Sequence, residues 1–170
     1  MNPFPEINAR HSVLTRISED ALGILKEIFE DADTRRFLPE LYELLDSSNG
    51  IQKFVSTFDL YTQNDEGYLW GVKHCDELVA FVAVMDLSDI PVLFYATHPN
   101  YRSKGYMKDA LQSVLGYLGN QKAVRTISTD VYKENSISIA LLQQLGFCVC
   151  MADDKKVYMS RTRKTDICLE

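Results

Sequence analysis

Ten residues, His98-Pro99-Asn100-Tyr101-Arg102-Ser103-Lys104-Gly105-Tyr106-Met107, gather the residue types that an anion site needs. A β-rich run ends at Pro99, a short polar loop with two cations follows, and Gly105 stands where a helical pattern begins. The first N–H groups of a helix have no partner within it and lie at the positive end of its dipole, so they attract anions. Amides of a tight turn can add a nest around phosphate oxygens. Gly105 lacks the side chain that would hold phosphates away from the backbone. Phosphate binding is therefore the chemistry on offer. A solvated turn uses the same residue types, and the loop alone does not separate the two.

The elements around the loop must position it. Behind it, Met107, Ala110, Leu111, Val114, Leu115 and Leu118 form one apolar stripe, which predicts a helix over 104–118. Ahead of it lie β runs over 68–73, 78–86 and 92–98, the first two joined tightly through His74-Cys75-Asp76-Glu77. Residues 78–85 are continuously apolar, as a strand covered on both faces should be. After it come a strand over 125–132 and a helix over 136–145 stopped by Gly146. A hairpin over 147–152 and 156–160 then turns at Asp153-Asp154.

The first part of the chain reads as a short strand near 12–17 followed by helices. Ser18 is a candidate N-cap before Ala21, Leu22, Leu25, Ile28 and Phe29. Pro39 opens a short helix holding Leu41, Leu44 and Leu45. Ile51, Phe54, Val55 and Phe58 mark another after the Ser47-Ser48-Asn49-Gly50 break. No repeat or linker interrupts the pattern, which predicts one α/β domain over 1–170 with a mixed sheet.

Composition narrows the function classes. A net charge of −6, from 18 Lys+Arg against 24 Asp+Glu, argues against nucleic acid, which wants a basic face. An acidic surface steers cationic amines, and it also simply keeps a protein soluble. No stretch approaches the roughly 18 apolar residues of a membrane span, and the opening residues lack a secretory pattern, so no membrane and a cytoplasmic setting are expected. Cys75, Cys148, Cys150 and Cys168 show no metal-ligand spacing, so no metal is expected. Cys148 and Cys150, two apart in an apolar run, read as small buried hydrophobes on one strand face. A homodimer is allowed, dimers being the commonest assembly.

Two segments together resemble a known family. Arg102-x-x-Gly105-x-Met107 is similar to the Arg/Gln-x-x-Gly-x-Gly/Ala loop of the GCN5-related (GNAT) acetyltransferases, with Thr97-His98-Pro99 at that family's V-x-P entry. Further on, Asn135-Ser136-Ile137-Ser138-Ile139 and Leu145-Gly146-Phe147 resemble its N-x-x-S-I…L-G-F segment. The resemblance spans 68–160. Arg35-Arg36-Phe37-Leu38-Pro39 points to the branch that includes ribosomal-protein N-terminal acetyltransferases. Met107 departs from the family's small residue.

The resemblance implies a mostly antiparallel sheet of about seven strands flanked by helices. It also implies acetyl-CoA as cosubstrate and an amine, small molecule or peptide N-terminus, as acceptor. The amides of Arg102, Ser103, Lys104, Gly105, Tyr106 and Met107 would hold the pyrophosphate, with charge added by Arg102 and Lys104. Backbone groups of Tyr95, Ala96 and Thr97 would hold the pantetheine arm like an added strand, with Asn135 on its other side. Ser138 is the implied acid or sulfur-orienting group, since Leu142 occupies the position of the family's usual tyrosine. Tyr132 is a second acid candidate. No base is assigned among Asp86, Tyr95, His74 and His98, and no Glu lies in the strand over 92–98. Phe54, Phe58, Tyr61 and Trp70 are candidate linings of an acceptor pocket, although the helical spacing of Phe54 and Phe58 fits a core better. A coenzyme A-binding module without activity is the alternative reading.

Overall fold

The computed structural model describes residues 3–164, so Cys168 lies outside the described residues. The chain opens with β1 (Ile7–Asn8) and β2 (Val13–Thr15), then α1 (Leu22–Glu30), α2 (Ala32–Phe37), α3 (Pro39–Glu43) and α4 (Gly50–Gln63). A meander of β3 (Tyr68–His74), β4 (Glu77–Met85) and β5 (Val92–Thr97) follows. The chain closes with α5 (Tyr106–Gln121), β6 (Thr126–Tyr132), α6 (Ser136–Gln144), β7 (Cys148–Ala152) and β8 (Lys156–Thr162). The eight strands of the described residues join one sheet in the order β1-β2-β3-β4-β5-β6-β8-β7. Every neighbouring pair is antiparallel except β5 and β6. The strand beyond the expected seven is the two-residue β1, too short to show an alternation.

β4 is apolar throughout because both of its faces are covered. Ala80, Val82 and Val84 join a core with α5, while Phe81 and Ala83 join a second core with α1 and α4. The register with β3 slips between Val72 and Lys73, which leaves Val79 without an opposite residue and turns Leu78 to the α1 side. The predicted stripe of α5 is buried in full. Each of its Met, Leu and Val side chains contributes about 1.5–3 kcal/mol of burial, which anchors the helix whose first turn matters below. Met107 belongs to this stripe, so its bulk points inward and leaves the loop unobstructed.

Three expectations need correction. Trp70 is fully buried on the α5 side, its indole N–H donating to the Pro5 carbonyl at 2.8 Å. Cys148 and Cys150 are exposed, because β7 is the sheet's edge strand and all its residues face solvent. The register of β7 also slips between Val149 and Met151, making Cys150 a bulge residue and breaking the two-residue alternation. Ser18 precedes a short 3₁₀ turn and makes no side-chain cap, its hydroxyl donating to Asp20 instead.

Candidate functional site

β5 and β6 begin as neighbours and then part. Their only registered pair is Val92 with Ser128, near the start of β5. The Ser128 N–H donates to Pro91 O at 2.8 Å, and the buried Thr129 hydroxyl reaches Leu93 O at 2.8 Å. Past that point the edge of β5 is open. His98 N–H donates to Val79 O, and this fixes which residues face β4. In an antiparallel ladder the alternate residues turn both backbone groups away. By the β4 register, Ala96 and Phe94 bond to β4, whereas Tyr95 and Thr97 turn their N–H and C=O groups into the gap. Ala96, one of the expected backbone contacts, therefore borders the gap through its side chain, and Tyr95 and Thr97 supply the free peptide groups.

The loop lies at the open end of this gap. His98 fixes its entry: its Nδ1 accepts from Asn100 N–H at 3.2 Å, and its Nε2 lies 2.8 Å from Glu27 Oε2. Ser103 (φ 60°) and Gly105 (φ 83°) both take left-handed backbone conformations. Such turns direct successive amides to one side. Gly105 caps α5 without any side-chain hydrogen bond, so the N–H groups of Tyr106, Met107 and Lys108 lack the partners a cap would give. A Cβ on Gly105 would meet no protein atom within 4 Å, so the space before these amides is open.

Arg102 does not aim its charge at that space. Its guanidinium donates to Asp31 and, at 3.1 Å, to Asp33, two carboxylates at the start of α2. Asp31 also caps α2, accepting from the N–H groups of Asp33 and Thr34 at 3.1 Å each. Burial pushes the Asp31 carboxyl up, but Arg102 and these amides outweigh it and hold the group below its ordinary value. The Lys104 ammonium lies 5.4 Å from the centre of the Tyr101 ring. Ser103, Lys104 and Gly105 are exposed.

The opposite wall is the start of α6. Asn135 is its N-cap, the side-chain oxygen accepting from Ser138 N–H at 3.2 Å. This turns the Ser138 hydroxyl toward β5, where it lies 2.6 Å from the Tyr95 hydroxyl. Burial pushes the Tyr95 phenol up to about 12, so it stays protonated at neutral pH. The cleft enclosed by these parts measures about 580 Å³, and its lining includes Tyr95, Ala96, Thr97, Asn135 and Ser138. Arg102, Ser103, Gly105, Tyr106 and Met107 also border it. Lys104 is absent from that lining, as are Phe54, Phe58, Tyr61 and Trp70, which pack within or against the cores.

Of the base candidates, only Tyr95 borders the cleft. His98 is buried against Glu27, His74 faces His11 O at 2.8 Å, and Asp86 is exposed beyond the far end of β4. Tyr132 stacks obliquely on Phe37 at 6.5 Å and carries Lys156 over its ring, so it is a structural contact. Leu142 is wholly buried. Sequence reasoning missed α2 and its acidic start. The one local signal was Asp31 at the N-cap position with Asp33 in the first turn.

An arrangement with amides for an anion, an unpaired strand edge and a paired hydroxyl set fits a long, phosphate-bearing ligand laid along β5. No curated protein matches the sequence. Among solved structures, the ribosomal alpha-N-protein acetyltransferase RimL with coenzyme A bound is 15% identical, with a TM-score of 0.81 over 93% of this chain and 98% of that one. A ribosomal-protein-alanine acetyltransferase from Vibrio fischeri is 13% identical, with a TM-score of 0.72 over 93% and 96%. A chimaera based on the spermidine N-acetyltransferase of Vibrio cholerae is 12% identical, with a TM-score of 0.72 over 89% and 95%. At these identities the likeness is one of fold. The acetyltransferase (GNAT) domain family matches residues 12–148, most of the described chain, and the protein belongs to that family of acetyl-CoA-dependent enzymes.

Proposed function

We propose that the enzyme moves the acetyl group of acetyl-CoA to a primary amine by direct attack while both substrates are bound. The observation that carries this reading is the convergence on one cleft of the uncapped start of α5, the open edge of β5 and the Tyr95–Ser138 hydroxyl pair. The amides from Arg102 to Met107 take the pyrophosphate. The free peptide groups of Tyr95 and Thr97, beside Ala96, take the pantetheine arm, with Asn135 across from them. A neutral amine nitrogen attacks the thioester carbon, the C–N bond forms and the C–S bond breaks. Ser138 gives its hydroxyl proton to the departing sulfur and is reprotonated from solvent. The surplus proton on nitrogen leaves to water. Tyr95 acts here as a positioning residue, through the 2.6 Å contact.

Arg102 serves the cosubstrate by holding the loop to α2 rather than by meeting phosphate charge. The net charge of −6 supports an amine over a nucleic acid as acceptor, and a cytoplasmic setting belongs to the same proposal. Calorimetry with coenzyme A, paired with an assay of thiol release over an amine panel, tests the reading. Saturable binding and amine-dependent release are expected, with Ser138→Ala slowing turnover about a hundredfold. A coenzyme A-binding module without activity would bind and release no thiol.

A further inference from the structure

The two faces of the gap between β5 and β6 differ in chemistry. Side chains of Tyr95, Thr129 and Val131 point to the α5–α6 side, where the loop and Ser138 lie. The alternation places Phe94 and Asp130 on the other side, toward α2. There the cleft is lined by Phe37, Leu38 and Phe94. If the cosubstrate occupies the first face, an amine reaches the thioester from the second.

Among the described residues, the carboxylates that line this second face are each paired with a cation of the protein. Among the described residues, only two acidic ones line the cleft, Asp33 and Asp130. Asp33 is bound by Arg102 at 3.1 Å, and Asp130 by Lys156 at 2.6 Å. At the rim, Glu134 of the segment between β6 and α6 is paired with Arg36 of α2, and Asp31 is paired with Arg102. Glu40 lies outside the lining and adds its field to that around Lys156. A second ammonium would have to displace one of these cations or rest unpaired against aromatic and aliphatic carbon, which costs free energy. An apolar body would instead cover Phe37, Leu38 and Phe94 and remove them from water.

We infer that the acceptor is a primary amine carried on an apolar body with no second positive charge, because the carboxylates lining the α2 face of the cleft, and those named at its rim, are each paired with one of the protein's own cations. This rests on the acetyltransferase reading above. The shared chemistry covers a free arylalkylamine and a peptide N-terminus with an apolar first residue.

The test compares kcat/KM for 2-phenylethylamine, the tripeptide Phe-Ala-Ala, putrescine and spermidine at saturating acetyl-CoA. At least one of the first two should exceed both polyamines by about tenfold or more; which one does so distinguishes the two sources. A polyamine used as well as or better than both overturns the inference while leaving the acetyltransferase reading intact. Coenzyme A bound in calorimetry, with no amine acetylated, overturns both. Lys156→Met, which frees the Asp130 carboxylate, should narrow the gap between spermidine and the better monoamine about tenfold. An unchanged ratio in that folded variant overturns the role given to the committed carboxylates.

Discussion

Gly105→Ala separates what the loop does for the fold from what it does for a ligand. Gly105 sits at φ 83°, ψ 1°, a conformation that costs an L-residue about 1–2 kcal/mol. Loss of the glycine's freedom in the unfolded chain returns about 0.4–1 kcal/mol of that. No protein atom lies within 4 Å of the new Cβ, so no clash adds to the cost. The net loss of about 1 kcal/mol should lower Tm by about 2–4 °C for a chain of this size. Binding should suffer more, because the methyl group stands where the diphosphate must approach the amides. Losing one charge-assisted hydrogen bond costs about 1.5–3 kcal/mol, so the Kd for coenzyme A should rise about tenfold to a hundredfold. Gly116→Ala, at an exposed position in the same helix with nothing within 4 Å, is the control. It should raise stability by about 0.5–1 kcal/mol and leave Kd alone. Thermal unfolding and calorimetric titration of both variants give the two readouts. A Gly105→Ala protein that binds coenzyme A like the wild type would show that these amides do not grip the diphosphate.

Other outcomes follow from the same geometry. With the Tyr95 phenol pushed up to about 12 from an ordinary 10.0, its contribution to stability is complete below pH 10 and is lost as pH rises from 10 toward 12. Denaturant unfolding across that range should show a steeper decline for the wild type than for Tyr95→Phe. Leu142→Tyr, which restores the residue type usual in relatives, should cost about 1–3 kcal/mol and bring no gain in turnover, because the position is wholly buried. A more active variant would contradict that placement. Asp31→Asn keeps a capping oxygen but removes the charge facing Arg102, for an expected loss of about 1 kcal/mol at neutral pH. The Asp31 carboxyl is held below its ordinary 3.8, so its contribution is present above 3.8 and disappears as pH falls below that value. Acid unfolding of Asp31→Asn should lack this portion of the wild-type slope.

The parts of the protein legible in its sequence are those where one short-range pattern decides the outcome. The unbroken apolar run of β4 and the six-residue stripe of α5 each admit one arrangement, and both are buried as their spacing requires. Gly105 and Asn135 mark helix starts, and both are N-caps. What could not be read depends on partners far along the chain. Arg102 finds Asp31 across 71 positions of sequence, and nothing near Arg102 announces it. α2 carries no apolar periodicity and is held at its start by the Asp31 carboxyl. Cys148 and Cys150 were misjudged because burial in a strand depends on its place in the sheet, and β7 lies at the edge. The hydroxyl contact of Tyr95 with Ser138 joins residues 43 positions apart and needed the fold to be seen.

The single registered pair between β5 and β6 also has a mechanical meaning. Five strands lie on one side of that seam and three on the other, and the rungs that would rivet the two panels together are missing for most of its length. A molecule lodged there would act as a splint, lending the sheet cross-links that the polypeptide does not supply. Supply of the acyl donor would then govern how rigid the enzyme is as well as how fast it works.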